Sequence, residues 1–273
     1  MSLFDAFSYR DKRVVVVGGA TGMGNATARL AQDAGADVVV MDYADCDLPG
    51  VTAIRVNLAD RNSIDTAVAE CGGTVNALFA CAGVADGPGI ERINFIGHRH
   101  LIERLRAEDM LPRGSAIGFI SSAAGLAWRS NLPQLTEFLA IVDFDTAAAW
   151  ALDNGCAHYM FTKQAVCAYV AREAMDLISD GIRINAICPG PTDTPLARAN
   201  AELWLDFGAD YRAKVGVAAA TAMEQAYPLL FLCSDAARVV NGITMVTDSG
   251  YLSAGITEVF PAGTPMAKML LDG

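Results

Sequence analysis

Seven short runs of apolar, mostly β-branched residues alternate along this chain with stretches whose apolar residues recur at helical spacing. This alternation is typical of β-α-β units, in which helices connect the parallel strands of one sheet. The runs are continuously apolar, as expected for strands covered on both faces. The predicted strands are Arg13–Val17, Asp37–Met41, Ala53–Asn57, Ala77–Ala82, Ala116–Ser121, Arg183–Ile187 and Ile243–Thr247. The predicted helices are Gly22–Ala34, Arg61–Glu70, Arg92–Glu108, Tyr159–Ser179 and Met223–Cys233.

Two connections in this pattern are irregular. Only about ten residues, Tyr43 to Thr52, separate the second strand from the third, which is too few for a crossover helix, so a loop is expected there. By contrast, residues 126–157 form an insertion whose apolar spacing indicates one or two extra helices before Tyr159. No repeat, low-complexity run or linker divides the chain, so residues 1–273 are predicted to form a single α/β domain with a doubly wound, parallel seven-stranded sheet.

Composition and charge exclude several classes of protein. The chain is 53% hydrophobic and 19% charged, which excludes disorder and implies a large core. Its 20 basic and 31 acidic residues give a net charge of −11, which argues against nucleic acid or an anionic membrane surface as partner. No apolar run approaches the roughly 18 residues of a membrane helix, and Met1 to Arg13 lacks a signal-peptide core. We therefore expect a soluble cytoplasmic protein.

Cysteine and histidine spacing gives no sign of a metal site or of disulfides. The seven cysteines form no C-x-x-C pair, so neither a disulfide framework nor a zinc site is predicted. His98 and His100 lie close together in sequence, but no third ligand is evident. We expect a protein that binds no metal.

A glycine-rich turn follows the first predicted strand and opens the first long helix. Its sequence is Gly18-Gly19-Ala20-Thr21-Gly22-Met23-Gly24. Glycines let the backbone approach a pyrophosphate, whose charge is met by free N–H groups and by the positive end of the helix dipole. Tight turns also use glycine for steric reasons alone, but the position of this one favours a dinucleotide and a Rossmann-type sheet. The candidate cofactor-binding residues here are Gly18, Thr21, Gly22, Met23 and Gly24.

An aspartate ends the second predicted strand. A carboxylate at the position of Asp42 can accept hydrogen bonds from both adenosine-ribose hydroxyls and would repel a 2′-phosphate. The loop that follows adds Asp45 and Asp47 and contains no Lys or Arg. This predicts NAD(H) rather than NADP(H). The alternative is that Asp42 merely ends a strand and meets solvent.

Tyr159 and Lys163 lie four residues apart, so on a helix they share a face. A free phenol has a pKa of about 10, and a neighbouring ammonium favours the phenolate. Alone, such a pair is usually a solvated helix pair. Upstream, however, a strand runs into the small-residue turn Ser121-Ser122-Ala123-Ala124-Gly125, at the carboxyl edge of the sheet where α/β enzymes build their sites. This context favours a catalytic role for the pair.

With these motifs in order, the sequence resembles the short-chain dehydrogenase/reductase family over nearly its whole length. The matching motifs are Gly18-x-x-x-Gly22-x-Gly24, Cys81-Ala82-Gly83 (in place of Asn-Ala-Gly), Asn94, Ser122, Tyr159-x-x-x-Lys163 and Pro189-Gly190-Pro191-Thr192-Asp193-Thr194. The missing helix after Asp42 and the long segment before Tyr159 are similar to a bacterial subgroup that includes 3α-hydroxysteroid dehydrogenase/carbonyl reductase and coniferyl-alcohol dehydrogenase. The Tyr-to-Lys spacing is not the longer one of enoyl reductases.

The resemblance implies roles for four catalytic residues. Tyr159 would be the general acid when a carbonyl is reduced and the general base when an alcohol is oxidised. Ser122 would orient the substrate oxygen. Lys163 would lower the pKa of Tyr159 and hold the nicotinamide ribose, and Asn94 would hold a water that connects Lys163 to solvent.

The resemblance also implies a set of NAD contacts. Thr194 would meet the nicotinamide carboxamide, and Asn57-Leu58 would meet the adenine, although the family usually has Asp at position 57. Val17 and Ala80-Cys81 replace residues whose hydrogen bonds normally brace the cofactor site. The full set is Gly18, Thr21, Gly22, Met23, Gly24, Asp42, Tyr43, Asn57, Leu58, Cys81, Ala82, Gly83, Tyr159, Lys163, Pro189, Gly190, Thr192 and Thr194.

Substrate choice is expected to depend on the insertion, on residues 195–222 and on the tail, residues 252–273. The apolar residues after Thr194 are Leu196, Leu203, Trp204, Phe207 and Tyr211. Their near-helical spacing suits either a mobile lid over an apolar ligand or an amphipathic helix packed on the core. The tail would either cover the pocket or reach a neighbouring subunit. Trp128 is expected to line the pocket, and Trp150 to lie in the core.

The favoured function is an NAD-dependent short-chain alcohol dehydrogenase or ketone reductase that acts on a bulky apolar secondary alcohol or ketone, either a hydroxysteroid or a cyclic alcohol. One alternative is a dehydrogenase of an aromatic primary alcohol of coniferyl type. A different class would be a non-catalytic nucleotide-binding sensor. The resemblance further implies a homodimer or homotetramer formed through the helices Arg92–Glu108 and Tyr159–Ser179, one of which the insertion would obstruct.

Overall fold

The computed structural model describes residues 2–272, apart from the side chains of Glu202 and Leu203, so the expected contribution of Leu203 to a lid lies outside the described residues. The strands are β1 (Arg13–Val17), β2 (Asp37–Asp42), β3 (Thr52–Arg55), β4 (Ala77–Ala80), β5 (Ala116–Ile120), β6 (Arg183–Pro189), β7 (Thr192–Asp193), β8 (Ala220–Thr221) and β9 (Thr244–Thr247). Seven of them form one sheet in the order β3-β2-β1-β4-β5-β6-β9, and every neighbouring pair is parallel. The predicted Rossmann-type sheet is confirmed.

The order of the strands places a switch point between β1 and β4. From β1 the chain builds outward through β2 and β3, then returns to add β4 on the other side of β1. In sheets of this kind the crevice at the carboxyl ends of the two central strands receives the ligand. The glycine turn after β1 and the loop after β4 are therefore placed beside each other.

Helices cover both faces of the sheet. They are α1 (Leu3–Phe7), α2 (Gly22–Asp33), α3 (Arg61–Cys71), α4 (Gly97–Ala107), α5 (Leu132–Ala140), α6 (Phe144–Asp153), α7 (Tyr159–Ser179), α8 (Pro195–Ala199), α9 (Ala201–Trp204), α10 (Ala209–Val215), α11 (Ala222–Cys233), α12 (Tyr251–Ile256) and α13 (Thr264–Asp272). A π-helical turn, Arg92–Ile96, precedes α4, and 3-10 turns occupy Ala123–Arg129, Asp235–Ala237 and Pro261–Gly263. Within residues 2–272, no helix is both long enough and apolar enough to cross a membrane.

The irregular connections are as expected. Residues 43–51 join β2 to β3 without a helix. The insertion forms two helices, α5 and α6, whose apolar residues are part of the main core: Phe138 is 1% exposed and Phe144 is 3% exposed. The ring of Phe138 stacks on Trp150 with centroids 5.5 Å apart and meets Phe161 of α7 edge-on at 5.3 Å. The insertion is therefore an integral layer on α7.

The predicted strands Ala53–Asn57 and Ala77–Ala82 end earlier, at Arg55 and Ala80, because the residues that follow turn into the loops at the edge of the sheet. Two larger features also differ from the sequence-based expectation. The predicted single helix Arg92–Glu108 begins instead with the π-helical turn. The short strands β7 and β8 pair in parallel as a separate two-stranded sheet that the sequence did not predict. This small sheet fixes the start of the segment that follows β6.

Candidate active site

The glycine turn packs directly against the loop after β4. Gly18 has a φ of +86°, and its N–H donates to the carbonyl of Met41 at 2.8 Å. A Cβ on Gly18 would lie 2.4 Å from the backbone nitrogen of Ala82, and one on Gly24 would lie 1.9 Å from the carbonyl oxygen of Gly18. Only glycine fits at these two positions, so the turn is built for close backbone approach.

The N-terminus of α2 is open to an anion. Thr21 is the N-cap residue, and its side chain makes no capping hydrogen bond. The first N–H groups of a helix have no intrahelical partner and carry the positive end of the dipole, so they suit a pyrophosphate. Across this opening, a Cβ on Gly22 would lie 3.6 Å from the Cβ of Thr194. The turn and the loop after β6 thus face each other, as binding of a dinucleotide requires.

Asp42 lies at the end of β2 and is tied to the glycine turn. Its Oδ2 accepts the N–H of Ala20 at 2.9 Å, and its Oδ1 accepts the N–H of Ala44 at 2.9 Å. A carboxylate oxygen has a second lone pair, so both oxygens can still accept ribose hydroxyls. The side chain is therefore held in place by the same turn that would hold the pyrophosphate.

The sequence analysis missed an arginine at this end of the site. Arg55 ends β3 and is the register partner of Asp42. Its Nη1 lies 2.8 Å from Asp45, and its guanidinium lies 5.1 Å from the centroid of the Tyr43 ring. The loop of residues 43–51 contains no Lys or Arg, whereas Arg55 comes from the neighbouring strand. Because Arg55 and Asp45 are mostly exposed, their ion pair is weak.

Asn57 and Leu58 lie in the turn after β3. Asn57 Oδ1 accepts the N–H of Ala59 at 3.0 Å, and its own N–H donates to Ser63. Leu58 is buried beneath Gly97. Neither residue lines the cavity described below, and their contact with an adenine stays a prediction.

The structure brings Ser122, Tyr159 and Lys163 together in one cavity of about 330 Å³. Ser122 follows β5 and begins a 3-10 turn, and Tyr159 is the first residue of α7. Lys163 is one turn further along the same helix face, with its Nζ 5.6 Å from the centroid of the Tyr159 ring. The carboxyl end of the sheet and the N-terminus of one helix therefore form the site.

Burial shifts the pKa of both ionisable groups. Lys163 is 6% exposed, its Nζ donates to the carbonyl of Ile120 at 3.0 Å, and burial lowers its pKa to about 8. Burial raises the pKa of Tyr159, and its interaction with the Ser122 hydroxyl opposes that shift. The lowering of the Tyr159 pKa by Lys163 that the family resemblance implies stays a prediction for the enzyme with its ligands bound.

Asn94 lies in the π-helical turn and fastens the loop after β4. Its Oδ1 accepts the N–H of Val84 at 2.8 Å, and its Nδ2 donates to the Val84 carbonyl at 3.0 Å and to Thr162 at 3.2 Å. A Cβ on Gly83 would lie 3.2 Å from Asn94 Oδ1 and 3.6 Å from Lys163 Nζ. Asn94 is therefore next to the lysine, and the water that it would hold stays a prediction.

The cavity has one side made of predicted cofactor residues and one side that is apolar. The predicted cofactor residues that line it, besides Tyr159 and Lys163, are Met23, Cys81, Gly83, Pro189, Gly190, Thr192 and Thr194. The apolar side is formed by Met160, Leu196, Trp204, Phe207, Met266, Met269 and Leu270. Sequence reasoning missed Met160, because a methionine beside a catalytic tyrosine has no distinctive pattern. Asp42, Tyr43, Asn57 and Leu58 lie outside this cavity.

Trp128 does not line the cavity, contrary to expectation. It lies in the 3-10 turn after Ser122, packs between core side chains and has the Arg129 guanidinium 4.5 Å from its ring centroid. Its ring also packs against the apolar cluster that contains Leu126 and Leu270, and so lies behind the cavity wall. The tail, in contrast, covers the pocket of its own chain through Met266 and Leu270.

The two histidines that lie close together in sequence, His98 and His100, have structural partners. His98 Nε2 lies 3.0 Å from the carbonyl of Ala82, and burial lowers its pKa to about 4. His100 is hydrogen-bonded to Asp65 at 2.8 Å. Among the residues that the structure describes, no group of three or more His, Cys, Asp or Glu is placed to hold a metal ion.

Comparison with known proteins defines the class to which this fold and site belong. Residues 18–252 match the family described as enoyl-(acyl carrier protein) reductase. The chain belongs to the short-chain dehydrogenase/reductase family, whose members are oxidoreductases that bind a nicotinamide cofactor. The resemblance seen in the sequence is thereby confirmed.

Within the family, the chain is similar to enzymes named for alcohol oxidation. It is 28% identical to coniferyl-alcohol dehydrogenase of Pseudomonas sp. strain HR199, over 89% of this chain and 97% of that protein. It is also 28% identical to 3-alpha-hydroxysteroid dehydrogenase/carbonyl reductase of Comamonas testosteroni, over 87% of this chain and 95% of that protein. These similarities agree with an oxidoreductase of the short-chain dehydrogenase/reductase family.

A solved structure shows the same fold. The 3-alpha-hydroxysteroid dehydrogenase from Pseudomonas sp. B-0831, complexed with NADH, superposes with a TM-score of 0.72 at 24% identity. The match covers 91% of this chain and 99% of that one. The arrangement of sheet and helices is therefore shared along essentially the whole chain.

Proposed function

We propose that the protein is an NAD(H)-dependent oxidoreductase that transfers a hydride between nicotinamide and a bulky apolar secondary alcohol or ketone, of the hydroxysteroid or cyclic-alcohol type. The observation that carries this proposal is the placement of Ser122, Tyr159 and Lys163 in a single largely apolar cavity beside the glycine turn. The relatives named for coniferyl alcohol and for 3-alpha-hydroxysteroids support a substrate that contains a ring.

The nicotinamide supplies the redox step when bound. The chain's own residues would position the substrate and move a proton. The Tyr159 hydroxyl donates its proton to the carbonyl oxygen in reduction, and the Tyr159 phenolate takes the proton of the alcohol in oxidation. The Ser122 hydroxyl orients that oxygen by a hydrogen bond. Lys163, with its pKa near 8, is protonated at neutral pH and places a positive charge beside the phenol.

The cofactor would be held along the carboxyl edge of the sheet. The N–H groups at the start of α2 bind the pyrophosphate, and Asp42 accepts the adenosine-ribose hydroxyls. Thr194 and the Pro189–Thr192 loop contact the nicotinamide end. The bonds from Ala20 and Ala44 support this assignment, because they leave the carboxylate of Asp42 already aimed at the glycine turn.

The NAD preference can be tested at Asp42. We expect the wild-type enzyme to use NADH well and NADPH poorly, because the carboxylate repels the 2′-phosphate. Asp42→Asn removes the charge and keeps an acceptor for Ala20, so the NADPH-to-NADH ratio of kcat/KM rises about tenfold or more. Asp153→Asn, a loss of charge at the exposed end of α6 in the insertion, is the matched control. A wild-type enzyme that prefers NADPH would refute the proposal.

The catalytic role is tested by Tyr159→Phe. This variant loses only the hydroxyl, so turnover falls about 100-fold or more while NADH affinity is retained. Turnover is followed by NADH absorbance, and binding by NADH fluorescence. Undiminished turnover in Tyr159→Phe would contradict the proposed proton transfer.

A second candidate function is oxidation of an aromatic primary alcohol, favoured by the similarity to coniferyl-alcohol dehydrogenase. The two candidates differ in which carbon carries the hydroxyl. NADH formation from a panel of cyclic secondary alcohols, hydroxysteroids and cinnamyl-type alcohols separates them. If no alcohol in the panel is turned over although NADH binds, the nucleotide-sensor alternative is favoured instead.

We further propose that the protein is a cytoplasmic homodimer. The insertion helices α5 and α6 pack against α7 and against the π-helical turn, and they occupy part of the helix pair through which family members would associate. The seven cysteines are an odd number without a C-x-x-C pair and do not suggest a disulfide framework, which supports a reducing compartment.

A further inference from the structure

Trp204 covers the phenol of Tyr159. The two ring centroids are 5.0 Å apart, with an interplanar angle of 42°. Trp204 is the last residue of α9, and both rings line the same cavity. The indole therefore lies at the point where the body of a substrate must rest when its oxygen reaches Tyr159.

A single arginine braces the backbone that follows Trp204. Nη1 of Arg212 donates to the carbonyl of Phe207 at 2.6 Å, and its Nη2 donates to the carbonyl of Leu205. The neighbouring Tyr211 hydroxyl donates to the carbonyl of Ser249 at 3.0 Å, which fastens α10 to the chain before α12. Trp204 therefore precedes a segment that is pinned at several points, so its ring is positioned and does not lie at a free loop tip.

The remaining apolar walls come from a separate part of the chain. Met266, Met269 and Leu270 of α13 line the cavity, and the Ser130 hydroxyl anchors this helix by donating to the Leu271 carbonyl at 3.1 Å. The cavity of about 330 Å³ is at the lower end of the ~300–1,000 Å³ usual for ligand pockets, and it also includes the nicotinamide side. A nicotinamide would occupy part of this volume, so a body of one ring fits the remainder more readily than a fused four-ring body.

We propose that Trp204 is the specificity-determining residue of this site and that it selects alcohols and ketones whose carbon body is a single ring, which packs against the indole face. Arg212 is its positioning residue. This inference rests on the proposed function and narrows its substrate class. A flat or cyclic body covers an aromatic face well, whereas a linear chain does not. A fused four-ring steroid enters only when Trp204 is displaced.

The test compares cyclohexanol with a straight-chain secondary hexanol, which has the same number of carbons, and with a 3-hydroxysteroid. Trp204→Ala lowers kcat/KM for cyclohexanol about tenfold, mainly through KM, and changes the value for the linear alcohol less than about twofold. Trp204→Phe keeps most of the activity on cyclohexanol. Steroid turnover rises relative to cyclohexanol in Trp204→Ala. Trp150→Phe, which alters an indole packed on the main core and outside the cavity, changes none of these ratios.

Arg212→Gln tests the positioning role. It removes the guanidinium that donates to two carbonyls, so the KM for cyclohexanol rises. The kcat for cyclohexanol and the kcat/KM for the linear alcohol change little. Arg212→Lys restores part of the ring selectivity. A merely structural role would lower kcat for all alcohols together and would shift the thermal unfolding temperature in parallel.

The outcomes distinguish this inference from the proposed function. If the wild-type enzyme oxidises alcohols but Trp204→Ala leaves the cyclohexanol-to-hexanol ratio unchanged, the specificity role is overturned and the proposed function stands. If the wild type oxidises none of them, the proposed function fails. The inference is then tested by titrating cyclohexanone in the presence of NADH and following indole fluorescence. An identical fluorescence change in wild type and Trp204→Phe would overturn it.

Discussion

At the scale of single residues, Lys163 holds its amino group where the protein largely excludes water. It is a buried ammonium whose surroundings are the carbonyl of Ile120 and the thiols of Cys81, Cys167 and Cys188. A buried charge without a close counter-ion lowers stability, because desolvation is only partly offset by dipoles. The site thus retains a charge for function at a cost in folding free energy.

The lowered pKa of Lys163 predicts that the free energy of unfolding depends on pH through this one residue. In the native protein Lys163 loses its proton near pH 8, whereas in the unfolded chain it keeps the proton up to about pH 10.5. In that window the unfolded chain binds more protons, so the contribution of Lys163 to the free energy of unfolding increases with pH. Lys163→Met lacks this contribution.

We therefore expect wild type to gain stability relative to Lys163→Met by up to about 3 kcal/mol between neutral pH and about pH 10. Urea unfolding of both proteins across this range measures the difference, and comparison of the pair cancels the other titrating groups. A difference in stability that is constant with pH would show that the pKa of Lys163 is not lowered.

The chemical residues were predictable because they follow one another in recognisable local patterns. Ser122 comes directly after a strand, and the four-residue spacing of Tyr159 and Lys163 is a helical repeat. The contact of Trp204 with Tyr159 was not predictable, because it depends on how a separate segment folds back. The same is true of Arg55, which reaches the end of β2 through sheet pairing alone.

At the scale of elements, the insertion behaves as part of the core. Phe138 of α5 contacts the rings of Phe95, Trp150 and Phe161, which lie on three other elements. Burial of this cluster fixes the position of α7 and hence of Tyr159 at its first turn. The segment thus supports the site without lining it.

Removal of the Phe138 ring measures how much the insertion stabilises the fold. Phe138→Ala leaves a cavity in a fully buried cluster, so the free energy of unfolding falls by about 3–5 kcal/mol. Val142→Ala, at a position that is 73% exposed in the loop between α5 and α6, is the control and changes stability by less than about 0.5 kcal/mol. Chemical denaturation of the two variants decides the point. Similar small losses in both would mean that the insertion is only loosely attached.

Elements were predictable where local pattern and tertiary packing agree. β1 and α7 have the predicted bounds because continuous valines and a long helical repeat leave few alternatives. The π-helical turn at Asn94 was not predictable, since it accompanies side-chain bonds to Val84 and Thr162. Likewise, β7 is only two residues long and exists because a distant segment pairs with it.

At the scale of the whole molecule, the order of strands accounts for the location of the site. Rules for parallel sheets place the loops after β1, β4, β5 and β6 at one edge, and the cofactor side of the cavity is made from these loops. The sequence indicated which segments form the apolar side of the cavity, but it did not predict the shape of that side. Short helices joined by loops have no fixed crossing geometry.

The assembly is predicted at this scale. Family members would associate through two helical stretches, one formed by the π-helical turn with α4 and the other by α7. Because α5 and α6 obstruct part of this pair, one surface remains for association, and we expect a dimer. Light scattering coupled to gel filtration should give twice the chain mass of 28.7 kDa. A species of four times that mass would show that the insertion leaves both surfaces free.

The two sides of the cavity also come from different parts of the sequence. Apart from Met160, the apolar walls begin at Leu196, after every strand of the two sheets except β8 and β9. Apart from Trp204, which contacts the Tyr159 ring, substitutions in these later walls therefore change the pocket and leave the catalytic residues and most of the sheet in place. During evolution such a layout lets a lineage explore new substrates one side chain at a time while the chemistry is inherited unchanged, and it gives an engineer the same freedom.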